Sequence, residues 1–504
     1  LRKLGFCDIP GSHGKTLELQ MSLTWIDDKD DKPKFHYVDI SWMYGKEFSE
    51  EVESDEFHAF TLEGRSSLSI TYSNLNKHLL ESPLAQYIPT RPCEPLVFSL
   101  KTKTDVKRWL HDCQTNHTLC KRVSGALPFK ERPARLVALG SETVHLEETD
   151  TKFPRDYVAL SYCWGETKPK WCTTRQNLDS YLERIEGDIL PNTIKHAMYV
   201  TQELGYEYLW VDALCIVQEG NENDKTNELR KMAGIYYGAS VVLSAARARS
   251  SGVGFLQDRK LDEIYNTVFK LHAVVESVGT YAFFLHECST NDSTNEPIDK
   301  RGWTLQEHSL AVRLLRFGSK QTSWTCPQKG RNIDGGCAFR ETTIDPIAFT
   351  GKLSQRLLED HNKTRDEWKF DNWMEVVHEY SSRKVSKISD RLQALAALAQ
   401  MFAIEAQVDT GNYCAGLWRD ELPKHLLWRR VNLKKHAKTE SLVMERLENS
   451  NPSWSWASVR GMVKHHPPDV DRKRITLGNI ECRIMLKDQS LPYGEVQSAK
   501  LILD

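Results

Sequence analysis

A charge excess of either sign is missing from this sequence. Over 504 residues, 67 Lys and Arg stand against 69 Asp and Glu, a formal charge of −2. Without a basic excess to displace counterions, the usual footprint of a nucleic-acid binder is absent. Long apolar runs are missing too, and a membrane helix needs about 18 such residues or more. The start, LRKLGFCDIPGSHGK, lacks the apolar core of a secretory signal. A dense cysteine framework is absent, since the 12 cysteines are scattered from Cys7 to Cys482. That distribution implies reduced thiols and a cytoplasmic setting, so the sequon at Asn116 carries little weight. Neither G-x-S-x-G nor G-x-G-x-x-G occurs, and no internal repeat or low-complexity stretch is present.

Aromatic residues, by contrast, are plentiful: 14 Trp, 17 Tyr and 17 Phe. So much aromatic surface must be buried, which excludes disorder as the main state. The length predicts two or three domains. Three regions are expected: residues 1–130, a β-rich accessory region; 131–345, an α/β core; and 346–504, helical and ending in short strands. Leu17–Trp25 and Leu68–Tyr72 alternate apolar and polar positions as half-exposed strands do, with Asp27–Asp31 as a turn between them. Thr104–Leu119 is expected to be one helix.

From Tyr157 onward apolar runs alternate with amphipathic helices. Tyr157–Ser161, Tyr208–Ile216 and Val241–Ser244 read as buried strands. Thr193–Leu204, capped by Asn192 and stopped by Gly205, and Asp224–Tyr237, stopped by Gly238, read as the helices between them. This spacing predicts an open, parallel α/β sheet. Thr280–His286, Arg313–Phe317, Gln321–Cys326 and Asn479–Leu486 are further strands; Arg301–Ala311 and Asp390–Ala399 are helices.

Several residues stand out for chemistry. Gly11–Thr16 has the look of a phosphate loop, but Ile9 occupies the position of its first glycine, so a surface turn is the better reading. Cys113-x3-His117-x2-Cys120 carries zinc-ligand types, but one helix would spread them over overlapping faces. A structural zinc also needs a fourth ligand, and Cys7 is the only N-terminal candidate. Two buried thiols and a helical histidine are therefore preferred to a metal. Ser161, Tyr162, Trp164 and Gly165 end the first strand, and Asp212, Cys215 and Gln218 end the second. Open α/β sheets bind ligands outside those strand ends. An Asp inside an apolar strand needs a partner, and capping or pairing with an Arg explains it as well as a ligand does. Trp303 and Glu307 are one helical turn apart, usually no more than a half-buried face.

Three blocks together resemble the fungal HET (heterokaryon incompatibility) domain. They are Tyr157-Val-Ala-Leu-Ser-Tyr-Cys-Trp-Gly165; the stretch from Leu190-Pro-Asn-Thr-Ile-Lys-His-Ala197 through Leu209–Gln218 to Met232-Ala-Gly-Ile-Tyr236; and Arg301-Gly-Trp-Thr-Leu-Gln-Glu307. Trp109–Cys120, Ser381-x-Arg383, Gly416-Leu-Trp418 and Pro452-Ser-Trp-Ser-Trp456 extend the resemblance over most of the chain. It implies self/non-self recognition and regulated cell death. Because HET domains are distantly similar to Toll/interleukin-receptor (TIR) domains, it also implies a flavodoxin-like sheet.

Some TIR domains cleave NAD with a Glu in a W-C-x-x-E pattern. Trp303 and Glu307 keep that spacing, while Thr304 replaces the Cys. The resemblance thus implies Glu307 as the catalytic carboxylate of an NAD glycohydrolase. Trp303, Trp164 or Tyr162 would stack on the nicotinamide, Cys215 and Gln218 would line the pocket, and Arg301 would meet a phosphate. NAD is then substrate and no cofactor is needed. A homo-oligomer and an activating protein partner are implied as well. The competing readings are a self-associating signalling module without enzymatic activity, and a hydrolase of another nucleotide.

Overall fold

The structure, a computed structural model, describes residues 17–26, 34–44, 53–60, 94–125, 131–140, 143–149, 156–260, 268–275, 279–287, 296–328, 330–333, 365–385, 387–422, 424–431, 451–465 and 480–503. The expected strand Leu68–Tyr72, the turns at Gly11–Thr16 and Asp27–Asp31, and Cys7 lie outside these residues. The chain divides into two compact units: 1–99 with 257–294 and 333–342, and 100–256 with 295–332 and 343–504.

The first unit holds a five-stranded sheet. Leu17–Ile26, Lys34–Tyr44 and Glu53–Phe60 form an antiparallel meander, and the alternating pattern at 17–25 is indeed a strand. The hairpin Val268–Val275 and Gly279–Glu287 completes this sheet by pairing with Glu53–Phe60. The apolar run at 280–286 is therefore a strand, but of this sheet.

The second unit begins with α1 (Leu100–Thr115) and α2 (Thr118–Gly125). The single helix expected over 104–119 is broken, which sets His117 between two helices. The central strands are β1 (Val158–Ser161), β2 (Tyr208–Trp210), β3 (Val241–Ser244) and β4 (Leu314–Phe317). They pair in parallel, and by chain order they lie 2-1-3-4 across the sheet. This is the flavodoxin-like doubly wound arrangement, whose strand order reverses between β1 and β3. All four residues of β1, β3 and β4 are buried, as helices on both faces require. Arg135–Ala138 and His145–Glu148 extend the sheet antiparallel beyond β2. At the other edge come β5 (Thr322–Cys326), antiparallel to β4, and then Gly330–Ile333.

The crossover from β1 to β2 carries α3 (Asn192–Glu203), whose N-cap is Pro191 rather than Asn192. Gly205, at φ +84°, stops it. The continuous strand expected over 208–216 is corrected: it ends at Trp210, and Asp212 opens the short helix α4 (Asp212–Cys215). An unpaired carboxylate inside a fully buried strand would cost several kcal/mol, about 2–7 for a polar group. At the start of a helical turn Asp212 instead accepts from the Ala213 N–H at 2.7 Å. The single helix expected over 224–237 is likewise two, α5 (Glu222–Arg230) and α6 (Met232–Gly238). Asn221 caps α5 by accepting from the Asp224 N–H at 3.1 Å. Before β4 lies α7 (Trp303–Ser309), shorter than the expected 301–311.

Two long helices follow, α8 (Arg365–Ser381) and α9 (Asp390–Ala406). Trp373, Phe402 and Trp418 interlock, with ring centroids 5.2–5.5 Å apart. Ile480–Leu486 pairs with Val496–Leu503 near the end of the chain. No helix among the described residues is long and apolar enough to cross a membrane.

Candidate functional site

The carboxyl ends of β1 and β3 meet at the pair Ser161–Ser244, next to the reversal of strand order. Helix α7 delivers Glu307 and His308 to this point. Ser161 Oγ donates to Glu307 Oε2 at 2.5 Å and lies 3.2 Å from His308 Nε2. When the serine proton goes to the carboxylate, the His308 tautomer that completes the contact carries its proton on Nε2. Burial holds His308 well below the ordinary histidine range, and the guanidinium groups of Arg316 and Arg383 push the same way. The imidazole is therefore neutral.

Glu307 exposes only 6% of its surface. Burial raises its carboxyl to about 7, against the opposing pull of Arg301 and the Ser161 hydrogen bond, while Asp212 adds to the rise. The Tyr236 hydroxyl lies beside this carboxyl and donates to the Leu160 carbonyl at 3.3 Å. A carboxyl poised near neutrality in a protein interior is a recurrent property of catalytic acids and bases.

Above this floor lies a more open rim. Trp164, Asp212 and Arg301 are half-buried and Gly165 is exposed. Trp164 Nε1 donates to Asp212 Oδ2 at 2.8 Å. Desolvation raises the Asp212 carboxyl, with Arg301 and the Trp164 indole opposing. Arg301 donates to the Tyr162 carbonyl. Burial alone would depress its guanidinium, but Glu307, Cys163 and Asp212 outweigh that and hold it charged. The Tyr162 hydroxyl is buried and lies against the Asp212 carboxylate, which it helps to hold. Gly165 turns at φ +110°, a conformation that side chains rarely adopt.

Ser161, Tyr162, Trp164, Asp212, Arg301 and Glu307 are thus brought into one cluster. Other residues expected beside them are placed differently. The Cys215 thiol is fully buried, receives the Val211 N–H at 3.4 Å, and is pushed up to about 12 by desolvation. Gln218 donates to the Asp212 carbonyl at 2.9 Å and so braces the turn. The Trp303 indole lies toward Asp390 at the start of α9, away from the Glu307 carboxylate. Thr304, which stands where the TIR pattern has Cys, is fully buried; its hydroxyl bonds the carbonyls of Ile298 and Arg301 at 2.7 and 2.9 Å. This anchors the first turn of α7 and aims Glu307 inward.

Sequence reasoning missed His308, Tyr236 and the Arg135–Asp224 pair. Arg135 Nη2 grips both Asp224 oxygens at 2.7 and 2.6 Å, while its Nε donates to the Cys215 carbonyl at 3.0 Å. That ion pair, with one nitrogen bridging both carboxylate oxygens, fixes the segment after α4 from 89 residues away in sequence. The adjacency of His308 to Glu307 was the available signal; nothing in the sequence pointed to Arg135.

Residues 157–307 match the family model described as heterokaryon incompatibility protein (HET). No curated protein and no solved structure matches the chain.

Proposed function

Taking this chain as a protein that carries a HET domain over residues 157–307, we propose that the domain hydrolyses the nicotinamide–ribose bond of NAD with Glu307 as its catalytic carboxylate. One observation carries the proposal: a buried carboxyl, raised to about 7, sits at the strand-order reversal between Ser161 and Arg301. Nicotinamide is cationic in NAD and leaves neutral, taking the electron pair of the C–N bond, so no strong acid is required. The chain must stabilise the oxocarbenium-like ribose that remains, and a preorganised carboxylate does this. Water then bonds to the anomeric carbon and gives up a proton, leaving ADP-ribose. The Tyr162 hydroxyl beside Asp212 would meet a ribose hydroxyl, and the Trp164 face the pyridinium ring.

The small exposure of Glu307 requires the rim of Trp164, Asp212 and Arg301 to open before substrate enters. Self-association of the chain, promoted by an activating partner, is the proposed trigger. Such gating keeps the resting protein from consuming NAD, and turnover then rises with protein concentration.

The test is nicotinamide release from NAD by the purified chain over a range of protein concentrations. Glu307→Gln should lower turnover on the order of 10²–10³-fold while remaining folded. A folded Glu307→Gln variant with full turnover moves the chemistry elsewhere. Cleavage of another nucleotide but not NAD changes the substrate. No cleavage of any nucleotide by the self-associated chain favours a purely signalling module.

A further inference from the structure

Away from this site, we propose that Cys113, His117, Cys120 and Cys326 bind a structural zinc ion that fastens the α1–α2 hairpin to the edge of the sheet. Cys113 lies in the last turns of α1, His117 in the break before α2, and Cys120 in α2. Cys326 ends β5, 209 residues beyond His117 in the chain. One ligand atom from each of the four lies within 4.8 Å of all the others, and all four residues are buried. At i, i+4 and i+7, Cys113, His117 and Cys120 would share one face even of an unbroken helix, and the break between α1 and α2 sets His117 between its two cysteine neighbours.

The spacing fits the ion. Tetrahedral zinc with Zn–S of about 2.3 Å and Zn–N of about 2.0–2.1 Å puts sulfur and nitrogen about 3.5 Å apart. His117 Nδ1 is 3.5 Å from Cys120 Sγ and 3.5 Å from Cys326 Sγ. Neighbouring ligands of one tetrahedron stand at this distance. The other ring nitrogen, Nε2, is buried without a hydrogen bond and faces Asp112 Oδ2 at 3.4 Å. A carboxylate behind the second nitrogen of a ligating imidazole is the usual outer support of a zinc site.

Charge is accounted for as well. Binding releases three thiol protons, so three thiolates, a neutral imidazole and the dication leave one net negative charge. Arg313 Nε points at Cys113 Sγ at 3.2 Å and balances it. Four protein ligands close the coordination shell, which makes the role structural and leaves no position for a substrate. Leu119 N donates to Gln328 Oε1 at 3.1 Å, so α2 and the chain just past Cys326 are already in register for the clasp.

The test uses the full chain purified without chelator. Metal analysis should give about one zinc per chain. Zinc-edge X-ray absorption should find three sulfur neighbours at about 2.3 Å and one nitrogen at about 2.0–2.1 Å. Chelation should lower the melting temperature and added zinc restore it. Cobalt(II) in place of zinc should show the intense visible bands of a tetrahedral thiolate site, and Cys326→Ser should alter them. If Cys326→Ser does not fold, the absorption spectrum of the unaltered chain decides alone. A folded chain that neither holds nor takes up zinc overturns the proposal. So does a disulfide among the three cysteines, or a metal shell made only of oxygen and nitrogen.

Discussion

Ser161 Oγ and Glu307 Oε2 meet at 2.5 Å although 146 residues separate them in sequence. This hydrogen bond closes the end of the first parallel strand against the helix before the fourth. It also sets the charge state of the site. Burial favours the acid, while the Arg301 guanidinium and the serine donor favour the carboxylate, and the result is a carboxyl near 7.

That balance makes stability depend on pH. The Glu307 carboxyl rises from 4.5 to about 7 on folding. Between those values Glu307 binds more protons in the folded state than in the unfolded one, so its own contribution to stability falls as pH rises. The full decline is on the order of 3 kcal/mol. Chemical denaturation from pH 4.5 to 8 should show this contribution as the difference in slope between the unaltered chain and Glu307→Gln. Equal slopes in both proteins would place Glu307 in a more hydrated setting.

Ser161→Ala should push the carboxyl further above 7, because it removes the donor that stabilises the charged form. The pH-dependent loss of stability would then extend to more alkaline values. If nicotinamide release requires the carboxylate, its pH profile should shift in the same direction. An unshifted profile would count against the hydrogen bond.

Cys215 should resist alkylation in the native protein. Its thiol is fully buried and raised to about 12, so little thiolate exists at neutral pH. Iodoacetamide treatment followed by peptide mass analysis should leave it unmodified until denaturant is added. Rapid labelling would mean that the turn after β2 opens to solvent.

Gly416→Ala should destabilise the C-terminal helical assembly. Gly416 adopts φ +96°, and an added Cβ would stand 2.6 Å from Trp456 Nε1. Its carbonyl accepts from both Trp373 Nε1 and Trp456 Nε1 at 2.9 Å. The backbone strain alone costs about 1–3 kcal/mol, and displacing the indoles adds to it. A melting temperature within one degree of the unaltered chain would refute this reading.

The sequence alone determined the parallel core. Buried runs such as Val158–Ser161 and Val241–Ser244 have no solvated face, so helices had to cover them on both sides. It also marked Ser161, Trp164 and Asp212, because residues at strand ends face the crevice that such sheets leave open. Arg301 and Glu307 were marked only by the resemblance to HET and TIR domains. Pro452–Trp456 and Gly416–Trp418 were legible as motifs, but not as partners about one indole.

Tertiary structure decided what depends on distance across the fold. Tyr208–Ile216 did not stay one strand because Asp212 opens a helical turn after Trp210, a start that the apolar run around it masks. Whether Glu307 was an ordinary surface acid was settled by burial beside Ser161 and Arg301, since desolvation requires neighbours from remote segments. Cys113, His117 and Cys120 announced a ligand set lacking one member. Only the sheet could supply Cys326, because a coordination shell is defined in space and the chain between its members is free to be of any length.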